Sequence, residues 1–273
     1  NTDWASTSAR LQVSRTTDGG RTAIAADVGL DKTGANFVAP LRKCPAKDNV
    51  MLAGSYRLSR SDDFFSATRP TWTAQTPARD FPSPGFQTVT DPGVIISIAF
   101  SPNDKDCATY AYGTRGGEDK LTRDGGASWI DLDPAKGLPG RSVNSLTFDP
   151  SNPNRIVAAL SGFDVMTPGK SGHIFRTDNA MSPSPAWTRL GPPDQPFADM
   201  PFNVIAIDPS NSQIVYAGSD NGLWESRDGG NTWAKAGLGS GLPPASVYDI
   251  QFNTTTNKTV IFTHGRGAYE LVR

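Results

Sequence analysis

The chain has 273 residues, a formal net charge of −1 and a pI near 6.2. A near-neutral chain lacks the basic field that gathers nucleic acid or anionic lipid, so neither partner is expected. No apolar run approaches the length of a membrane-spanning helix, and Asn1 opens without a signal-peptide pattern. The 27 glycines and 22 prolines indicate many short strands joined by tight turns.

The first recognisable unit is a strand at residues 11–14 followed by a turn at residues 16–22. In this turn a hydroxyl residue precedes Asp18 by two positions, and two glycines follow. In later copies a strand that ends in Asp-Pro precedes the turn, and a Trp follows it. The copy around Asp18 has neither the Asp-Pro strand nor the Trp. The N-terminal repeat is therefore predicted to be incomplete.

Four further copies follow at long period, each with two or three short apolar strands before a similar turn. The acidic residues assigned to these turns are Asp63, Asp124, Asp178 and Asp228. The tryptophans that close them are Trp72, Trp129, Trp187 and Trp233. Inserts interrupt the turns at Asp63 and Asp178. A last copy has strands at residues 247–252, 260–263 and 267–271 and stops before its turn.

A repeat of this length is typical of a propeller blade, because each four-stranded sheet buries its faces against its neighbours. The expected fold is all-β, a β-propeller of four-stranded antiparallel blades with incomplete end blades. About six blades are represented, with five or seven as alternatives. Residues 1–273 are predicted to form a single propeller domain. Because its end repeats are incomplete, a fragment of a longer protein is one interpretation of this chain.

The repeated Asp is predicted to be structural. A hydroxyl and a carboxylate two residues apart can both accept hydrogen bonds from main-chain N–H groups of a hairpin, and glycine supplies the backbone angles that the turn needs. A catalytic acid is needed once, whereas this Asp recurs in nearly every repeat. The tryptophans are interpreted as packing residues for the same reason.

The two cysteines, Cys44 and Cys107, each precede the second apolar strand of consecutive repeats. This placement allows a disulfide between neighbouring blades. The alternative is a pair of unrelated free thiols.

The turn pattern, best preserved at residues 122–129 and 226–233, resembles the Asp-box, or bacterial neuraminidase repeat. This repeat occurs in propellers of sialidases, xyloglucan-cleaving endoglucanases, sortilin-type receptors and uncharacterised secreted bacterial proteins. Residues 263–269 resemble the last blade of the secreted group. The resemblance implies a β-propeller that is secreted or exposed at the cell surface, in a bacterium. It does not imply one activity, since enzymes and receptors share this architecture.

A sialidase is not expected from this resemblance. Sialidases clamp the sugar carboxylate with three arginines, one of them in an Arg-Ile-Pro motif, and pair a Tyr nucleophile with Glu. The chain has no Arg-Ile-Pro, and its glutamates are limited to Glu118, Glu225 and Glu270.

An endoglucanase needs two carboxylates across a cleft. The candidates outside the turns are Asp31, Asp91, Asp164, Asp220 and Asp249. The sequence places no two of them together. In the xyloglucan-cleaving family the cleft lies between two propellers, and this chain has the length of one.

Four residues are the candidate ligand contacts: Asp164 and His173 in the insert at residues 162–173, and His264 and Arg266 in a glycine-flanked turn. They lie where the chain departs from its own repeat, and loops on a rigid scaffold commonly carry binding groups. Two histidines without partners at ligand spacing predict no metal site, and no cofactor is expected.

Two hypotheses follow. In the first, the chain is a propeller that binds a glycan or a protein through loops at one face, without a catalytic centre. In the second, it is part of a glycoside hydrolase whose cleft needs a further domain of the same parent chain.

Overall fold

The computed structural model describes residues 3–76, 91–191, 199–236 and 241–271, and these residues form six antiparallel sheets. The first three sheets are sheet 1 with β1 (Trp4–Ser8), β2 (Gln12–Thr16) and β3 (Ile24–Ala25), sheet 2 with β4 (Leu41–Lys43), β5 (Met51–Gly54), β6 (Leu58–Ser61) and β7 (Thr73–Ala74), and sheet 3 with β8 (Ile95–Phe100), β9 (Tyr110–Thr114), β10 (Asp119–Thr122) and β11 (Ile130–Asp131).

The remaining strands form three more sheets of the same kind. They are sheet 4 with β12 (Val143–Asp149), β13 (Asn152–Leu160), β14 (Ile174–Thr177) and β15 (Trp187–Arg189), sheet 5 with β16 (Phe202–Ile207), β17 (Val215–Ser219), β18 (Gly222–Ser226) and β19 (Ala234–Lys235), and sheet 6 with β20 (Val247–Asn253), β21 (Lys258–Thr263) and β22 (Gly267–Leu271). A single turn of 3₁₀ helix, Asp164–Met166, lies in the loop between β13 and β14.

In every sheet each strand pairs with the strand that follows it in the chain. The first and last sheets have three strands and the four between them have four. This confirms the predicted all-β propeller of about six blades with incomplete end blades. The chain divides into two compact units, residues 1–130 and 131–273, so the single-domain hypothesis stays a prediction.

Each unit is held together by apolar side chains packed between consecutive sheets. In the first unit, Leu52 and Tyr110 are fully buried between sheets 2 and 3. In the second unit, Phe202 and Ala217 are fully buried between sheets 4 and 5, and Val247 between sheets 5 and 6. Burial of this kind is the main favourable term in folding, and the inner strands β5, β9 and β17 are buried on both faces.

The first strand of sheets 3, 4, 5 and 6 carries a bulge one residue after its start. The extra, unpaired residues are Ile96, Asn144, Asn203 and Tyr248. A bulge redirects a side chain away from the sheet pattern. The repeat therefore presents one irregular residue at the same end of each of these sheets.

The repeated turns share one hydrogen-bond pattern, as in the turn after β18. Ser226 Oγ accepts from the Gly230 N–H at 2.8 Å, and Asp228 Oδ1 accepts from the Thr232 N–H at 2.8 Å. Gly229 and Gly230 have φ values of 71° and 97°, which glycine adopts without a steric penalty. The turns at Asp18 and Asp124 have the same pattern.

The turn at Asp63 keeps the carboxylate half of this pattern despite its insert. Asp63 Oδ1 accepts from the Thr71 N–H at 2.8 Å, eight residues away, whereas Asp228 binds a residue four positions on. The extra residues loop out between the two halves of the turn. The indole Nε1 of Trp72, the tryptophan that closes this turn, donates to the Ala26 carbonyl at 2.8 Å.

The assignment of Asp178 as the turn acid of sheet 4 is wrong by one residue. Asn179 occupies that position: its Oδ1 accepts from Thr177 Oγ1 at 3.0 Å and from the Ala186 N–H at 2.9 Å. Asp178 instead pairs with Arg155 and Arg176. The hydroxyl residue is two positions before the acceptor in every copy, so this spacing selects Asn179.

The structure joins Cys44 and Cys107 in a disulfide, with 63 positions between them in the chain. Both cysteines are fully buried in the core between sheets 2 and 3. No helix among the described residues is long and apolar enough to cross a membrane.

Candidate functional site

The candidate contacts of the second unit lie at one end of its sheets. In an antiparallel sheet, the loop between the second and third strands and the connection to the next sheet meet at the same end. The insert between β13 and β14 and Asp199, in the connection before β16, meet in this way. The repeated turns connect the third strand to the fourth, so they lie at the other end.

A charged cluster, which we call the Asp-His cluster, consists of Asp164, His173, Asp199 and Arg141. His173 Nε2 lies 3.1 Å from Asp199 Oδ1 and 3.6 Å from Asp164 Oδ1. Asp199 Oδ1 also accepts from the Asp164 N–H at 2.6 Å, and Asp164 Oδ1 accepts from the Gly172 N–H at 3.0 Å. The insert is therefore fixed to the loop before β16 by its first and last residues.

Arg141 supports this cluster from within the protein. Its side chain is 4% exposed, and its Nη2 lies 3.1 Å from Asp164 Oδ1 and donates to the Gly172 carbonyl. Burial, followed by the nearby charge of Arg141, lowers the pKa of His173 below its usual value, against the opposing hydrogen bond to Asp199.

A second group lies at the start of sheet 6, where the bulge residue Tyr248 is 57% exposed. Its ring centroid is 5.6 Å from that of His264, in the loop between β21 and β22. The His264 N–H donates to the Ser246 carbonyl, which fixes this loop beside the beginning of β20. The two rings together form an exposed aromatic surface.

Polar groups of sheet 5 adjoin this aromatic pair. Asn203, the bulge residue of β16, donates from Nδ2 to Asp220 Oδ1 at 2.9 Å. Ser246 Oγ donates to the Asp220 carbonyl at 3.2 Å, which connects this loop to the chain entering β20. We call Asn203, Asp220, Tyr248 and His264 the bulge surface.

The structure thus divides the four predicted contacts into two pairs. Asp164 and His173 meet in the Asp-His cluster. His264 joins Tyr248, and Arg266 is exposed beside it, with its carbonyl accepting from the Tyr269 hydroxyl. That any of the four binds a ligand stays a prediction.

The other predicted carboxylates bind groups that are not candidate acids. Asp31 pairs with Arg57 at 3.2 Å, Asp91 accepts from the Gly93 N–H, and Asp249 accepts from the Gln251 side chain. None of these contacts joins two of the candidate acids. The carboxylate that does approach Asp164 is Asp199.

Sequence reasoning missed Asp199, Arg141 and Tyr248. Asp199 is 35 positions from Asp164 in a proline-rich connection, and no spacing signal relates the two. Tyr248 reads as one more residue of an alternating strand, since a bulge leaves no mark in the residue pattern. A comparison of the same strand position across repeats would have aligned it with Asn144 and Asn203.

No family model matches the chain. Two curated relatives are a xyloglucanase of Paenibacillus sp, 28% identical over 178 residues, and a xyloglucanase of Acetivibrio thermocellus, 31% identical over 177 residues. These matches cover 62% and 60% of this chain and 17% and 20% of the relatives. The chain thus has xyloglucanase homologues and spans about a fifth of their length.

Solved structures support the fold. YCF48 from Cyanidioschyzon merolae matches all of this chain and 80% of its own, with a TM-score of 0.66 and 16% identity. The GH74 xyloglucanase from Xanthomonas campestris matches 97% of this chain and 42% of its own, with a TM-score of 0.65 and 17% identity. The chain is therefore a β-propeller by fold, with xyloglucanases among its sequence relatives.

Proposed function

We propose that this chain is an extracellular glycan-binding propeller that holds a neutral β-glucan of the xyloglucan type on the bulge surface. The observation that carries the proposal is the exposed Tyr248 beside His264, which Ser246 connects to Asp220 and its partner Asn203. The xyloglucanase relatives support the choice of ligand class.

The groups of the bulge surface match the chemistry of a neutral sugar. The C–H groups of a glucose ring pack against the face of an aromatic side chain. Tyr248 has only two side-chain torsions, so it loses little conformational freedom when it makes this contact. A carboxylate and an amide side by side can accept from one sugar hydroxyl and donate to the next. Sites of this kind combine an apolar contact with a few placed polar groups.

The same surface is fixed in place by the sheets. Tyr248 projects from a bulge of β20, and Asn203 from the matching bulge of β16. A binding group carried by a strand is held more firmly than one carried by a long loop. The bulge surface therefore needs little ordering when a ligand arrives.

Binding is favoured over cleavage because the nearest carboxylate pair is already engaged. In the Asp-His cluster, one carboxylate oxygen of Asp164 and one of Asp199 lie within 4.8 Å, closer than the roughly 5–5.5 Å of a retaining pair or the 6.5–9.5 Å of an inverting pair. Both oxygens accept hydrogen bonds from the protein. The second candidate function, one half of a xyloglucan-cleaving enzyme, is favoured by the relatives and requires a second carboxylate from elsewhere in a parent chain.

Affinity electrophoresis in gels that contain xyloglucan tests the proposal, together with calorimetry on xyloglucan oligosaccharides. We expect retardation of the wild-type chain and loss of about tenfold or more in affinity for Tyr248→Ala, since a buried aromatic contact contributes about 1–2 kcal/mol. Phe37→Ala is the matched control, because Phe37 is an exposed aromatic residue, 67% accessible, in the other unit.

Reducing-sugar release from the same preparation separates the two candidates. Binding without release supports the proposed function. Release that is lost in Asp220→Asn supports the hydrolase alternative. Absence of binding to xyloglucan, or equal affinity of Tyr248→Ala and wild type, overturns the proposal.

A further inference from the structure

We propose that the Asp-His cluster is a binding site for a divalent transition-metal ion, with Zn²⁺ as the best fit. The ligands are His173 Nε2 and one carboxylate oxygen from each of Asp164 and Asp199, whose donor atoms all lie within 4.8 Å of one another. This site is independent of the glycan surface described above.

The geometry of the donors fits an ion of this size. A Zn²⁺ ion bound at about 2.0–2.1 Å in a tetrahedron has neighbouring ligand atoms about 3.3–3.4 Å apart. His173 Nε2 lies 3.1 Å from one carboxylate oxygen and 3.6 Å from the other, on either side of that value. Three protein ligands leave the fourth position to water, because Asp164 and Asp199 are partly exposed.

The orientation of the buried imidazole is an independent indication. His173 is 95% buried at the side chain, with Nδ1 against the Leu160 carbonyl at 3.4 Å and Nε2 against Asp199 Oδ1 at 3.1 Å. The ring is thus held between the Leu160 carbonyl and the two carboxylates, with Nε2 directed at Asp164 and Asp199.

This orientation of the ring suits a metal ion. With the proton on Nδ1, His173 donates to the Leu160 carbonyl and directs the Nε2 lone pair at the ion. Metal-binding histidines commonly hold their other N–H on a backbone carbonyl or a carboxylate in this way. An imidazole nitrogen with two carboxylates also favours Zn²⁺ or Mn²⁺ over Ca²⁺, which takes oxygen ligands.

Arg141 is the charge that opposes the ion, and it approaches Asp164 at Oδ1. Its guanidinium offsets one of the two carboxylates, so the cluster with a neutral imidazole keeps one negative charge. The hydrogen bonds that the described residues make to these carboxylates all use Oδ1, which leaves lone pairs on both Oδ2 atoms. The affinity is therefore expected to be moderate.

Calorimetry with ZnCl₂ on the whole chain tests the proposal. We expect one Zn²⁺ ion to bind per chain. The Zn²⁺ affinity of Asp199→Asn should be about tenfold weaker or more, although this variant keeps the shape of a partly exposed side chain. Asp106→Asn is the matched control, since Asp106 is an exposed carboxylate, 88% accessible, in the other unit. Co²⁺ should give visible absorption bands that are absent in His173→Gln.

Two results would overturn the proposal. One is the absence of binding to folded wild-type chain at millimolar Zn²⁺, which would assign His173 an imidazolium bound to both oxygens. The other is equal Zn²⁺ affinity in wild type and Asp199→Asn, which would place any bound ion elsewhere. Circular dichroism shows whether each variant is folded. If His173→Gln does not fold, the Zn²⁺ affinity of Asp199→Asn alone tests the proposal.

Discussion

The turn of sheet 4 gives a direct test of the hydrogen-bond pattern, because two neighbouring residues compete for one role. Asn179→Ala removes the acceptor of the Thr177 hydroxyl and of the Ala186 N–H. Thr177 is fully buried, so its hydroxyl is left without that acceptor away from water. We expect a loss of about 1–2 kcal/mol in the free energy of unfolding.

Asp178→Ala should cost less, about 0–1 kcal/mol. Its carboxylate is 47% exposed, and ion pairs at such positions contribute little because water screens them. Arg155 also keeps its second partner, Asp149, at 3.1 Å. Asn179→Asp restores the acidic residue of the other turns and should leave stability unchanged or higher.

Urea denaturation followed by tryptophan fluorescence measures all three variants. Equal slopes with denaturant concentration are required before midpoints are compared. A larger loss in Asp178→Ala than in Asn179→Ala would refute the assignment of Asn179 to the turn. An equal and negligible loss in both would refute the structural role of the turn itself.

Hydrogen bonds from Thr22 hold the pKa of Asp18 at about 2, and those from Ser128 do the same for Asp124. The stability that each of these lowered pKa values contributes is complete above the unfolded pKa near 3.8 and is lost as the pH falls towards 2. The melting temperature should therefore drop between pH 4 and pH 2. It should drop less steeply in Asp18→Asn and Asp124→Asn. Reduction of the Cys44–Cys107 disulfide should lower stability by about 4 kcal/mol, the chain-entropy value for a loop of 63 positions, and peptide mass spectrometry before and after reduction checks the pairing. Gly218→Ala should cost about 1–3 kcal/mol in urea titrations, because the added carbon would lie 2.6 Å from valine side chains of two neighbouring strands.

The repeat determines the fold class because each copy carries its own local instructions. The spacing from Ser226 to Asp228 and the glycines after it define a turn without reference to the rest of the chain. Short apolar runs then define the strands that precede the turn. Six such copies, with a shortened one at each end, are sufficient to predict antiparallel blades.

The candidate sites depend on the tertiary structure because their residues belong to different copies. Asp199 reaches His173 from the connection to the next sheet, and Asp220 meets Ser246 across two sheets. Sequence spacing does not report such distances, and a bulge that turns Tyr248 outwards follows from strand pairing. The turns and strands could be predicted from the sequence because their hydrogen bonds join residues close together in the chain. Packing between sheets decided which side chains of different copies meet.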